Sequence, residues 1–390
     1  MDRKDNSSSS SGPPGKGRKL PAARKSLFLK QKNMQRMVVA LSPLAVTAVY
    51  FFGWRSAAVL AAVFAAGLAT EYLMEKRAGK PISTACLVTC MLYGLSLPPT
   101  VPFFVAVVGI VVAILFGKEV FGGFGRNFAN PAIVGRAFVY VCFPVPLTAR
   151  FVPAFEGFPG GFARWSFESM KSLPARLAGA GREVADAVSQ ASPMWVNKRF
   201  GDAASYEGHS LWNMLLGDIG GLFQAGGETR ILSAGSMGEG CALLIGLAAI
   251  YLLVTKTANW RLMLSGFVGL AAATFLFRNL LGFDDLAAAG QHRFVVPPLH
   301  FTLLAGTTAY AAVFMITDPV SAPKRPPAQL AYGFLIGFLI VLLRWRGVFV
   351  AAASFSILLV NLVGPLLDMG ADAWKARRKA STAKAAGGSA

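Results

Sequence analysis

Charge is scarce in this sequence of 390 residues, and acidic charge scarcest: charged residues make up 15 %, with 19 Asp and Glu against 38 Lys and Arg. A water-soluble domain carries about 25 % charged residues, so a soluble fold of this size would lack polar material for its surface. Three histidines, His209, His292 and His300, are scattered. None pairs at metal-ligand spacing, and no Ser/His/Asp order suggests hydrolysis. The four cysteines, Cys86, Cys90, Cys142 and Cys241, lie in or beside apolar stretches. Cys86 and Cys90 share a helix face at i, i+4, but zinc takes four ligands and no further thiolate or imidazole is near. They read as small buried hydrophobes unless neighbouring subunits supply ligands. The chain also lacks an iron–sulfur cysteine pattern, a nucleotide-binding fingerprint and a signal peptide, since its basic N-terminal region is too long and no small-residue cleavage pattern follows.

What is present is apolar length. Hydrophobic residues account for 54 % of the chain, and mean hydropathy is +0.52. Windows of spanning length, about 17–25 residues, fall at 37–54, 56–74, 81–97, 101–117, 239–255, 262–281, 299–316, 328–343 and 348–367. A further one at 131–147, ending at Pro144 and Pro146, follows a Gly-rich run and begins at Pro131, a favourable first helical position. This predicts an all-α polytopic membrane protein of about ten transmembrane helices, with a broken helix near 122–131. The net charge of +19 lies in tails and short loops without aromatic interleaving, which speaks against a nucleic-acid partner and for attraction to anionic lipid.

Charge also orients the spans. With the N-terminus in the cytoplasm, alternation puts Lys76, Arg77, Lys80, Lys118, Arg126, Lys256, Arg261, Lys324 and Arg325 inside, and Arg55, Arg344 and Arg346 outside, as the positive-inside rule requires. Both tails are then cytoplasmic, and the polar segment 148–238 is outside. The expected organisation is a basic tail at 1–36, a first membrane half at 37–147, the outer segment at 148–238, a second half at 239–368 and a basic tail at 369–390. Five spans in each half imply two inverted halves.

Four stretches stand out chemically. FGKEVFGGFGRNFANPA at 116–132, continuing to Gly135 and Arg136, offers close backbone approach and a helix N-terminus, or else tight packing beside a solvated loop. DAVSQASPM at 186–194 is a polar loop with a turn. FMITDPVSAP at 314–323 puts Asp318 at a span end, as an interfacial cap or a site residue. Asn361, inside the last span, should face protein and find a partner. Asp368 lies past that span, where solvation is the default.

FGKEVFGGFGRNFANPAIVGRAF (116–138), LSLPP (95–99), VTKTANWR (254–261), FMITDPVSA (314–322) and NLVGPLLD (361–368), in this order, resemble the B subunits of sodium-pumping NADH:quinone oxidoreductases and, less closely, the related D subunits of Rnf electron-transport complexes. The resemblance runs from about residue 30 to 370. It implies a flavin mononucleotide (FMN) joined through its phosphate to a hydroxyl in a D-x-x-S-G-A-T motif. Asp186, Ser189 and Ala191 match that motif, Gln190 replaces its glycine, and Ser192 stands at the threonine. It further implies a noncovalent riboflavin among the spans, for which Gly122, Gly123, Asn127, Asn130, Arg136, Thr317 and Asp318 are the candidates, and a quinone as substrate. Glu119, Asp318 and Asp368 are the candidate sodium ligands, expected to form an uptake vestibule if they act together. The implied setting is the bacterial inner membrane. The implied partners are the A, C, D, E and F subunits of a six-subunit complex, membrane lipid and a flavin transferase. A solute channel or carrier without redox chemistry is the expectation of another class, because transporters also use inverted five-helix halves.

Overall fold

The computed structural model describes residues 28–387 apart from 78, 149, 156, 167–210, 218–221, 226–227, 232, 234, 283–295, 305–306 and 347–350. Asp186, Ser189, Ala191 and Ser192 therefore lie outside the described residues.

Apolar sequence forms helix wherever it runs long enough, because a helix satisfies its own backbone away from water. The first group comprises α1 (Lys32–Phe52), α2 (Trp54–Arg77), α3 (Thr84–Leu95), α4 (Phe103–Gly117) and α5 (Pro131–Cys142). The second comprises α6 (Ala242–Val254), α7 (Trp260–Phe275), α8 (described over Leu299–Leu304 and Thr307–Tyr310), α9 (Pro326–Val341) and α10 (Ala352–Gly387). These segments coincide with the ten windows read from the sequence. With their continuing turns, α1, α2, α4, α7, α9 and α10 are six helices long and apolar enough to cross a membrane, among the described residues.

Of the others, α3, α5 and α6 are short. Twelve residues in α3 and in α5 reach about 18 Å, against a hydrocarbon layer of about 30 Å. Their missing length is made up by irregular backbone held by protein. The N–H groups of Met237 and Gly238, just ahead of α6, donate to the carbonyls of Leu97 (3.0 Å) and Leu95 (2.7 Å) at the end of α3. The Arg55 guanidinium donates to the Pro99, Thr100 and Val101 carbonyls in the following turn.

Both groups pack in the same order. In the first, α2 lies on α4 and α4 on α5; in the second, α7 lies on α9 and α9 on α10, while α1 against α6 and α5 against α10 join the groups. Glycine makes the close approaches. A Cβ at Gly135 would stand 2.5 Å from the Gly109 carbonyl oxygen, and one at Gly337 2.0 Å from that of Gly266. Gly333 and Gly337 form a Gly-xxx-Gly stripe of the kind that draws membrane helices together. Asn361, as expected, is buried and accepts from the Tyr332 hydroxyl. Arg344 departs from expectation: it lies in the helical continuation of α9, buried, and donates to the hydroxyls of Thr307 (2.8 Å) and Thr308. Its threonine partners, at the start of the second described piece of α8, hold it there in place of the outer loop.

Candidate functional site

A cleft partly open to solvent, with a cavity volume of about 50 Å³, lies at the end of the bundle where α1 starts and α6 stops. Its walls come from the start of α1 (Asn33, Met34, Met37), one face of α3, the Gly-rich loop with the start of α5, and the turn after α8. Two motifs far apart in sequence thus meet, bringing Asn127 and Asn130 together with Thr317 and Asp318.

The local structure fixes what each offers. Asn130 caps α5, accepting from the Ala132 N–H at 3.0 Å, which leaves its amide N–H groups to give. Asn127 donates to the Ala129 carbonyl at 3.0 Å, which leaves its amide oxygen to accept. Thr317 donates to the Val313 carbonyl at 2.7 Å and retains its oxygen as an acceptor. Asp318 holds its own turn, accepting from the Val320 N–H (3.1 Å) and the Ser321 hydroxyl (2.9 Å). Burial pushes the Asp318 carboxyl above its ordinary range, against the pull of these donors. The cleft is therefore lined by both donors and acceptors among its apolar residues.

Lys118 also lines the cleft, and behind it lies a cluster the sequence reading missed. Its ammonium, on a side chain 2 % exposed, is 2.5 Å from Glu71 and 3.4 Å from Glu119 and donates to the Ser83 hydroxyl at 2.8 Å. Ser83 in turn gives both its N–H (2.8 Å) and its hydroxyl (2.7 Å) to Glu71. Glu75, 6 % exposed, completes three carboxylates with oxygens within 4.8 Å of one another. Three carboxylates facing one ammonium favour a hard cation or a proton between them. The available sequence signal was Glu71 and Glu75 at i, i+4 near the end of an apolar helix, a like-charge spacing that is unfavourable without a partner.

The remaining candidates lie elsewhere. Gly122 and Gly123 are not among the lining residues described; a Cβ at Gly123 would stand 2.9 Å from a Glu75 oxygen, so this glycine serves the carboxylate cluster. Arg136, 12 % exposed, faces Glu239 at 3.6 Å and Ser236 at 3.5 Å. Glu119 lies behind the cleft, 3.4 Å from Lys118, and Asp318 lines it. Asp368 sits apart, accepting the Lys324 (3.0 Å) and Arg325 (2.9 Å) N–H groups ahead of α9. The turn before α9 carries unpaired N–H groups, and Asp368 satisfies them in place of solvent.

The sequence signature of the NQR2, RnfD, RnfE family matches residues 21–374. The chain belongs to this family. It is a multi-pass membrane protein. The B subunit of the Na(+)-translocating NADH-quinone reductase of Chromohalobacter salexigens is 34 % identical over 307 residues, covering 78 % of this chain and 62 % of that relative. The D subunit of the ion-translocating oxidoreductase complex of Shewanella amazonensis is 32 % identical over 349 residues, covering 86 % and 90 %. The D subunit of the proton-translocating ferredoxin:NAD(+) oxidoreductase complex of Clostridium ljungdahlii is 30 % identical over 344 residues, covering 86 % and 88 %. This member of the NQR2, RnfD, RnfE family thus spans less than two thirds of the B-type relative and most of the D-type ones.

Proposed function

We propose that this chain is the membrane subunit of a sodium-pumping NADH:quinone oxidoreductase, carrying electrons through flavins toward quinone while sodium is exported. The observation that carries the reading is the cleft, which Asn127, Asn130, Thr317 and Asp318 line together. An amide oxygen beside amide N–H groups complements the imide edge of an isoalloxazine, which itself both gives and accepts. Riboflavin bound there would supply reversible electron transfer. The chain's own contribution is to hold that edge through Asn127 and Asn130, to set the positive charge of Lys118 beside it, and to exclude water with the apolar walls.

Glu71, Glu75 and Glu119 are the side chains best suited to hold sodium, which prefers oxygen ligands. The pairing of Glu71 and Glu119 with Lys118 puts cation binding and the cleft in contact through one side chain. FMN is attached to Ser192 as a phosphoester in this reading, with Asp186, Ser189 and Ala191 forming the motif that a flavin transferase recognises. The protein then lies in the bacterial cytoplasmic membrane with both termini inside, its five-helix groups oppositely oriented, and works within a six-subunit complex.

The test is flavin analysis of the purified complex. Acid denaturation should release about one riboflavin per complex and leave a fluorescent flavin on this chain, absent in Ser192→Ala. A complex that releases no flavin sinks the assignment of the cleft; fluorescence persisting in Ser192→Ala sinks the attachment site.

A second reading, a D-type member of a ferredoxin-linked ion pump, is favoured by the 90 % and 88 % coverage of the D-type relatives. Reduction of the flavins by NADH with quinone as acceptor supports the first reading, and reduction only by ferredoxin supports the second.

A further inference from the structure

Among the residues lining the cleft, Phe124 and Phe314 are aromatic, and they differ in how they are held. Phe314 is fully buried, its ring 5.1 Å from that of Tyr310. It is a fixed wall. Phe124 is 38 % exposed although it lines the cleft, so it stands at the mouth. The two other phenylalanines of its loop, Phe121 and Phe128, pair edge to face at 4.9 Å. Phe124 pairs with no other ring among the described residues.

The backbone explains why this ring stands where it does. Phe124 lies between Gly123 (φ +90°) and Gly125 (φ +87°), left-handed conformations that side-chain-bearing residues rarely adopt. The turn projects one large side chain between two residues that have none. A single exposed phenylalanine is ordinary on a protein surface. One carried by such a turn at the lip of a cleft with a fixed aromatic wall and two amides is better explained by a flat occupant.

We infer that Phe124 is the aromatic roof of the cleft, stacking on the face of a flat heteroaromatic ring whose polar edge meets Asn127 and Asn130. This rests on the reading of the cleft as the noncovalent flavin site and adds a residue that determines how long the ring is retained. Offset or edge-to-face packing is favourable between π systems, and a roof at the mouth acts chiefly on release.

The test uses the assembled complex, purified with riboflavin bound, with Phe124→Leu and Phe124→Trp made separately. Riboflavin release is followed by dilution into a flavin-binding scavenger, and the bound flavin by its visible absorption and circular dichroism. Phe124→Leu should release riboflavin roughly five- to tenfold faster, the scale of one aromatic pair, with its visible circular dichroism altered and the covalent flavin content unchanged. Phe124→Trp should hold it at least as long as the parent, with a red-shifted band from the larger stacked ring. Parental release and spectra in Phe124→Leu overturn the inference and leave the flavin site standing. Should Phe124→Leu fail to assemble, an unaltered spectrum in Phe124→Trp overturns it equally. A parent complex without noncovalent flavin removes the site itself, and the inference with it.

Discussion

Lys118 pairs with Glu71 and Glu119 and donates to Ser83, so removing it does more than delete a contact. Lys118→Met leaves carboxylates buried without their ammonium, and breaking a buried pair from one side costs about 3–5 kcal/mol. Thermal unfolding in detergent should show that loss. The double variant Lys118→Met/Glu71→Gln should recover most of it, because the second change removes the stranded charge. Fully additive losses would show that the two groups do not depend on each other. Lys118 and Glu119 stand in the Gly-rich stretch that the sequence marks out. Glu71, Glu75 and Ser83 do not, and only the packing of α2 and the start of α3 against that stretch assembles them. Asp368 illustrates the reverse case: its acidity and its place near a span end suggested a cation ligand, and its first partners are two backbone N–H groups.

Helices of this chain hold one another by shape. Lipid tails are as apolar as leucine, so association in a membrane depends on close packing more than on burial. The α7–α9 contact shows the consequence, since Gly337 meets the Gly266 carbonyl with no room for a Cβ. Gly337→Ala should therefore overpack the contact and destabilise the protein by about 1–3 kcal/mol, read as a lower unfolding temperature in detergent. Gly246, on α6, has nothing within 4 Å of its added Cβ, and Gly246→Ala should leave that temperature unchanged or slightly higher. Equal effects at the two positions would contradict the packing argument. Element positions were readable from the apolar windows alone. The shortness of α5 was signalled by Pro144 and Pro146 in its window; that of α3 was not, because hydropathy registers burial without distinguishing helix from irregular backbone buried in protein.

At the scale of the molecule, the two groups of five helices share a packing order and join through α1 with α6 and α5 with α10. An odd number of spans in each group requires opposite orientation if all cross. It also puts the basic end of α10, with Lys375, Arg377, Arg378 and Lys379, on the side of the N-terminus. A cysteine placed at Ser381, in a chain whose exposed Cys142 is replaced by serine, should react with a membrane-impermeant maleimide only after cells are opened. Labelling in intact cells would invert the topology and with it the placement of Ser192 outside. Arg136 and Glu239 bring a further link between the groups, from α5 to the segment ahead of α6. A paired guanidinium and carboxylate in so apolar an interior are costly unless they meet.

The sequence by itself determined that the chain enters a membrane, where its helical segments fall and which family it belongs to, because composition, apolar run length and ordered motifs are properties of the chain as a string. It also singled out two motifs that line the cleft, one for its glycines and the helix start at Pro131, the other for a carboxylate followed by proline at a span end. Only the tertiary structure decided that those motifs line one cleft, that Arg136 turns away from it toward Glu239, and that Glu71 and Glu75 stand behind Lys118. The reason is the same in each case. Which residues meet across a helix bundle depends on which faces pack, and in a membrane that is settled by small-residue contacts such as Gly109 with Gly135, to which hydrophobic periodicity is blind.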